Sequence, residues 1–185
     1  MTEITRGPVA RVGVDLSKRV YQVHAVDRTG RVLLARPMSP RRFFEWCAQL
    51  PDACIVAMET CGGAHHVARG LRLLGLDARL VAGHFVTPYR MAGKSGKNDA
   101  NDAAAICEAA GRPHMRFVPV KTAEQQGQLA VHRLREGFKE ERTALINRIR
   151  GLLAEFGLVF TQGPEVLRRV LAGYGTGDGG PDLVG

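Results

Sequence analysis

Apolar and polar positions first organise themselves in a short run, Arg11-Val-Gly-Val-Asp-Leu16, which ends in an acid and a Ser-Lys turn. Val20-Tyr-Gln-Val-His-Ala-Val-Asp27 then alternates between larger apolar and polar positions, Arg28-Thr-Gly30 supplies turn chemistry, and Arg31-Val-Leu-Leu-Ala35 resumes strand character. Short strand-like runs separated by tight turns predict an antiparallel meander. Ser39-Pro40 opens a helix, with Ser39 as N-cap and Pro40 at the first helical position. Its apolar residues Phe43, Phe44, Cys47 and Leu50 recur at helical spacing. Ala53-Cys-Ile-Val-Ala-Met58 is continuously apolar, as a strand buried on both faces must be, and Gly62-Gly63 breaks it. A helix through Val67, Leu71 and Leu74 ends at Gly75, and Ala78-Arg-Leu-Val-Ala82 reads as another strand.

The order β-β-β-α-β-α-β predicts an α/β fold, a mixed sheet with flanking helices, in the order of the ribonuclease H-like fold. From His84 to Asn98 the chain is Gly-rich and basic, and is expected to be mobile. A helix follows from about Asp99 to Ala110, stopped by Gly111-Arg-Pro113, and a longer one begins near Thr122. Leu134, Phe138, Leu145, Ile149, Leu152 and Phe156 keep one apolar stripe on it, spaced mostly by threes and fours. Such a helix either pairs with a second copy or packs its stripe back on the sheet domain. The expected organisation is a flexible start (1–10), a sheet domain (11–121), a helical segment (122–172) and a disordered Gly-rich tail (173–185).

Composition narrows the class. Hydrophobic content of 45% and charged content of 24% suit a globular chain, and no apolar run approaches the roughly 20 residues of a spanning helix. With no secretory signal pattern at the amino terminus, a cytoplasmic location is expected. The net charge of +8 fits a polyanionic partner without choosing among DNA, RNA and an acidic membrane surface. The four cysteines (Cys47, Cys54, Cys61, Cys107) form no C-x-x-C pair and read as small buried hydrophobes.

Four carboxylates stand where strands and a helix end. Asp15 closes the first strand, Glu59 closes the buried strand, and Asp99 and Asp102 lie three apart on one side of a helix. In a sheet of this order the first and fourth strands are central neighbours, which brings Asp15 and Glu59 together, and a crossing helix adds the other pair. Carboxylates a few ångströms apart repel by roughly 3–4 kcal/mol per pair at an effective dielectric of about 20. Hard divalent cations relieve that repulsion, and oxygen-only coordination suits Mg²⁺ or Mn²⁺ for chemistry at phosphorus. Each acid alone also suits a structural place: a turn for Asp15, a helix-cap partner for Glu59, dipole-compensating first-turn acids for Asp99 and Asp102.

The words around those acids carry more. Val12-Gly-Val-Asp-Leu-Ser-Lys18 with Gln22-Val-His-Ala-Val-Asp27, Met58-Glu-Thr-Cys-Gly62 and Gly96-Lys-Asn-Asp-Ala-Asn-Asp-Ala103 resemble successive blocks of the DEDD-type insertion-sequence transposases. Arg112-Pro-His-Met-Arg-Phe-Val-Pro-Val-Lys-Thr122 and Glu141-Arg-Thr-Ala-Leu-Ile-Asn-Arg-Ile-Arg-Gly-Leu-Leu-Ala-Glu-Phe-Gly157 also look like family sequence, so the similarity covers about residues 11–172. The resemblance implies a RuvC-like domain in which Asp15, Glu59, Asp99 and Asp102 bind Mg²⁺ (or Mn²⁺) for DNA strand cleavage and transfer. It further implies relatedness to DNA invertases, a structured guide RNA, and a coiled coil that joins copies into a homo-oligomer. Family members continue into a second domain with a nucleophilic serine. Ser17, Ser39 and Ser95 match no such motif, so a truncated or isolated domain, incomplete for recombination by itself, is expected.

Basic residues near the acids are the candidates for holding nucleic acid: Arg90, Lys94 and Lys97 in the Gly-rich segment, then Arg112, Arg116 and Lys121. Gly93 and Gly96 would permit close approach of phosphates, although the same composition also describes a solvated loop. Adjacent His65 and His66 point about 100° apart on a helix and make a poor chelating pair, and His24 reads as structural. Trp46 and Tyr89 are too few for a base-stacking platform. Three other readings remain at this level: a nucleic-acid-binding remnant that cannot cut, a stand-alone junction nuclease, and an actin-like phosphotransferase, which lacks its further phosphate loops.

Overall fold

The computed structural model describes residues 8–90 and 99–159, with residues 165, 166, 168, 169 and 172. It separates into two units, Met1–Gln125 and Gln126–Gly185.

In the first unit β1 (Arg11–Asp15), β2 (Tyr21–Val26) and β3 (Val32–Met38) form the expected meander. The β2–β3 turn is built by Asp27, whose Oδ1 accepts from Thr29 N at 2.8 Å and Arg31 N at 3.0 Å, with Gly30 at φ 87°. A short polar side chain that satisfies backbone donors, next to a residue free to take positive φ, is what a tight turn requires. Helix α1 (Pro40–Cys47) starts as predicted, with Ser39 Oγ accepting from Arg42 N at 3.4 Å. β4 (Ile55–Glu59), α2 (Ala64–Leu73) and β5 (Asp77–Val81) complete the order expected from the sequence.

The sheet runs β3-β2-β1-β4-β5-β6, with β1, β4 and β5 mutually parallel and the remaining pairs antiparallel. This order is compatible with a ribonuclease H-like fold. Because strand side chains alternate, β4 and β5 each feed two cores. Val12, Val14, Val56, Met58 and Leu80 join Phe43 and Leu71 on the face covered by α1 and α2. Ala57 and Val81 face the other way, against Val86, Ala105 and Ile106. The last three belong to α3 (Gly83–Val86) and α4 (Asp99–Ala110).

Two departures concern local order. The stretch expected to be mobile from His84 is helical over α3, continues as a 3-10 turn at Thr87–Tyr89, and buries Val86 completely. Packing against Ile106 outweighs the weak local propensity of Pro and Thr there. The rest of that expectation, residues 91–98, lies outside the described residues, as do 1–7 and the expected disordered tail 173–185. An unexpected two-residue strand, β6 (Phe117–Val118), pairs with Val81 and Leu80 at the sheet edge. Arg79, held by Asp77 at 2.6 Å, covers its Phe117 ring at 4.8 Å.

The long helix, α5 (Ala123–Ala154), begins where Thr122 was expected to start it. Thr122 Oγ1 accepts from Gln125 N at 3.1 Å and Gln125 Oε1 accepts from Thr122 N at 3.0 Å, a reciprocal capping box. Leu134, Phe138, Leu145, Leu152 and Phe156 of the predicted stripe are exposed, and Ile149 is half-buried. No helix among the described residues is long and apolar enough to cross a membrane.

Candidate active site

The two central parallel strands end in acids. Arg11 pairs with Ile55 and Val14 with Met58, so the next step in register sets Asp15 beside Glu59 on strands about 4.8 Å apart. Helix α4 crosses directly above β1 because Gly13 has no side chain. A Cβ there would lie 2.2 Å from Ala103 O and 2.4 Å from Cys107 N. The helix backbone therefore rests on the strand backbone, and its first turn delivers Asp102 to the acid end.

Arg90 connects the two elements. Its Nη2 lies 3.0 Å from Glu59 Oε2 and its Nε 2.8 Å from Asp102 Oδ1. The Nε is buried and makes no directed hydrogen bond, so its contact with Asp102 is one of charge rather than alignment. The other Glu59 oxygen, Oε1, lies 2.3 Å from where a Cβ on Gly83 would stand, so the absence of a side chain at the start of α3 makes room for the carboxylate. Cys61 completes the local field: burial raises its thiol pKa, and the charges of Asp15 and Glu59 raise it further. The structure corrects the expectation for this cysteine. Cys47, Cys54 and Cys107 are buried, but Cys61 is exposed, because the chain leaves the sheet through Gly62-Gly63 at that point.

Of the four predicted acids, Asp15, Glu59 and Asp102 come to one end of the sheet. Asp99 opens α4, but its side chain lies outside the described residues, as do Lys94 and Lys97. Among the described residues no group of three or more His, Cys, Asp or Glu is drawn close enough to hold a metal ion. The donor chemistry nonetheless suits a hard cation: Glu59 and Asp102 flank one positive group, Arg90, and offer it only oxygens. The ion-pairing role of Arg90 was not legible beforehand, since Glu59 lies 31 residues away in the chain.

None of the remaining described candidates is ion-paired with the predicted acids. Arg112 is ion-paired with Glu108 and sits 5.5 Å over the Tyr89 ring, while Arg116 is exposed. Lys121 is a structural tie: its N–H donates to His65 Nδ1 at 3.1 Å, and its carbonyl accepts from Arg69 Nη1 at 2.7 Å. His65 is thereby occupied in holding Lys121 against α2.

A sheet of this order, with acids closing its paired central strands and a helix adding another, falls in the class of mixed α/β sheets compatible with a ribonuclease H-like fold. Within it, residues 12–157 match the sequence model of the IS110-type DEDD family, described as "Transposase", and the chain belongs to that family. It is 52% identical over 154 residues to a probable family 20 transposase of Pseudomonas aeruginosa, covering 83% of this chain and 44% of the relative. It is 40% identical over 162 residues to the transposase for insertion sequence element IS1328 of Yersinia enterocolitica, covering 88% and 47%. Against the transposase for insertion sequence element IS1111A of Coxiella burnetii the identity is 44% over 154 residues, covering 83% and 41%. The chain thus spans less than half the length of these relatives.

Proposed function

We propose that this chain carries the acid site of an insertion-sequence transposase, a metal-dependent domain for cleavage and transfer of DNA strands. The observation that carries the reading is the convergence of Asp15 and Glu59, at the ends of paired parallel strands, with Asp102 of α4, bridged to Glu59 by Arg90. Asp15, Glu59, Asp99 and Asp102 would hold Mg²⁺ or Mn²⁺. When bound, such an ion activates an attacking oxygen and stabilises the leaving one at phosphorus. The protein's own part is positional: Gly83 leaves room for the Glu59 carboxylate, and the close approach at Gly13 fixes the height of Asp102 above β1. Arg90, released from the two acids, is placed to grip a phosphate through its planar fork of donors.

On this reading residues 11–121 form the catalytic domain of a cytoplasmic protein. Element ends, target DNA and a structured guide RNA are its partners, with Lys94, Lys97, Arg112 and Arg116 as further contacts. The exposed stripe of α5 pairs with a second copy as a coiled coil. A second reading, a nucleic-acid-binding module that does not cut, is favoured by one observation: Arg90 neutralises two of the acids.

Calorimetric titration of Mg²⁺ and Mn²⁺ into the wild type and into an Asp15→Ala, Asp102→Ala double variant separates the two. Saturable binding that disappears in the double variant supports the acid site, and cleavage assays on DNA then follow. Equal, weak binding by both proteins would overturn it in favour of the non-cutting module.

A further inference from the structure

The segment comprising α3 and its following turn has two sides. One carries Gly83 and Arg90 to the acids. The other faces residues 112–116 across an open pocket of about 400 Å³, lined among others by Phe85, Tyr89, Arg112, His114, Met115 and Arg116. Its lining combines the rings of Phe85 and Tyr89 and the Met115 thioether with two arginines and two imidazoles. Tyr89 already faces a cation, with the Arg112 guanidinium 5.5 Å from its ring centre, and Glu108 pairs with that arginine. Arg116, by contrast, has no acidic partner among the described residues and is open to solvent.

We propose that this pocket takes one unpaired nucleotide of a nucleic-acid strand, its base against Tyr89 and Met115 and its phosphate on Arg112 and Arg116. Aromatic and apolar side chains lined up with two arginines match a base with its attached phosphate, and a duplex offers such a base only where it leaves the stack. An acidic peptide would satisfy the arginines but leave the aromatic wall unused. Tyr89 and Arg90 are consecutive, one lining the pocket and the other contacting Glu59 and Asp102. A strand with a base in the pocket therefore directs an adjoining phosphate toward the acids. The inference rests on the reading of those acids as a nucleic-acid-processing site and adds to it the form of the strand that enters.

The test is fluorescence anisotropy with the full chain in EDTA, using fluorescein-labelled oligothymidylate, oligouridylate and an abasic deoxyribose-phosphate strand of equal length. Base-containing strands should bind about tenfold more tightly than the abasic one, the range of a base–aromatic stack. Tyr89→Leu, which keeps an apolar side chain, should abolish that ratio while leaving abasic binding in place. Arg116→Ala, at an exposed position, should weaken all strands alike and reduce the salt slope by about one. Preference for the uridylate or the thymidylate strand identifies RNA or DNA as the source. Equal binding of abasic and base-containing strands, or a ratio unchanged in Tyr89→Leu, overturns the proposal. The Asp15→Ala, Asp102→Ala protein keeps the two readings apart. A base-dependent ratio that persists where the wild type binds no cation sinks the acid reading alone, whereas cation binding without such a ratio sinks the pocket alone.

Discussion

Replacing Gly13 by alanine isolates the contact on which the acid end depends. Gly13 is not at positive φ, so the added methyl brings no backbone strain, and its whole effect is steric. The new Cβ would stand 2.2 Å from Ala103 O, 2.4 Å from Cys107 N and 2.6 Å from Cys107 Cβ. Two of these are backbone atoms of α4, which cannot swing aside as a flexible side chain would. Restoring ordinary contact requires α4 to lift by roughly 1 Å along its middle turns, in an interior packed too tightly to absorb that without loss. Overpacking of this kind costs about 1–3 kcal/mol. The lift also draws Asp102 away from Arg90 and Glu59, so cation binding should weaken beyond the loss of stability. Urea unfolding followed by circular dichroism measures the first effect and calorimetry the second. Gly62→Ala serves as the control, since no heavy atom lies within 4 Å of its added Cβ, and its stability should stay within about 0.5 kcal/mol of wild type. A Gly13→Ala protein as stable as that control would refute the backbone-on-backbone packing of α4 and the placement of Asp102 derived from it.

Two further outcomes are expected. Arg90→Met removes the positive group between Glu59 and Asp102. The protein should lose about 1 kcal/mol at most, because the pair is partly solvated, while its affinity for Mg²⁺ rises. A fall in affinity measured by calorimetry would show that Arg90 assists the cation instead of competing with it. Acid should destabilise the fold through two histidines held below the ordinary value of 6.5, His24 by burial and His65 by burial with Lys121 and Arg69 nearby. Since both folded pKa values lie under the unfolded ones, the unfolded chain takes up protons first as pH falls through 6.5. Stability is therefore fully present above that pH and declines below it, with a slope bounded for His24 at about 1.4 kcal/mol per pH unit. Urea midpoints between about pH 7.5 and 5.5 should fall, and less so in His65→Gln. A flat wild-type profile would contradict the assigned directions.

The strand order was legible because its elements carry their own signals. Alternation in Val20–Val26, the apolar run before Glu59 and the Ser39-Pro40 start each depend on residues near in sequence. From that order followed the neighbourhood of Asp15 and Glu59, since a parallel central pair ends its strands on the same side. Structure that depends on partners was not legible. β6 has only two residues and exists because β5 offers it an edge. Helix α3 is held by Val86 entering the core beneath α4, whereas its own Gly83 and the Pro88 that follows it read as loop. The bridge made by Arg90 and the exposure of Cys61 depend on contacts that form only once the sheet is assembled.

The arrangement of the cysteines has a practical consequence. All four are free, and Cys61 alone is exposed, at the end of the sheet where the acids gather. Burial raises the pKa of Cys54 to about 11 and pushes those of Cys47 and Cys107 up as well, leaving three thiols that a surface reagent does not reach. The native chain therefore carries a built-in attachment point for a spin label or fluorophore beside its acids, with no engineered residue. Partial burial and, to a lesser extent, the charges of Asp15 and Glu59 raise its thiol pKa, so coupling is best done at mildly alkaline pH. The same exposure makes Cys61 the first of the four thiols to meet an oxidant, and storage under reducing conditions protects that end of the sheet.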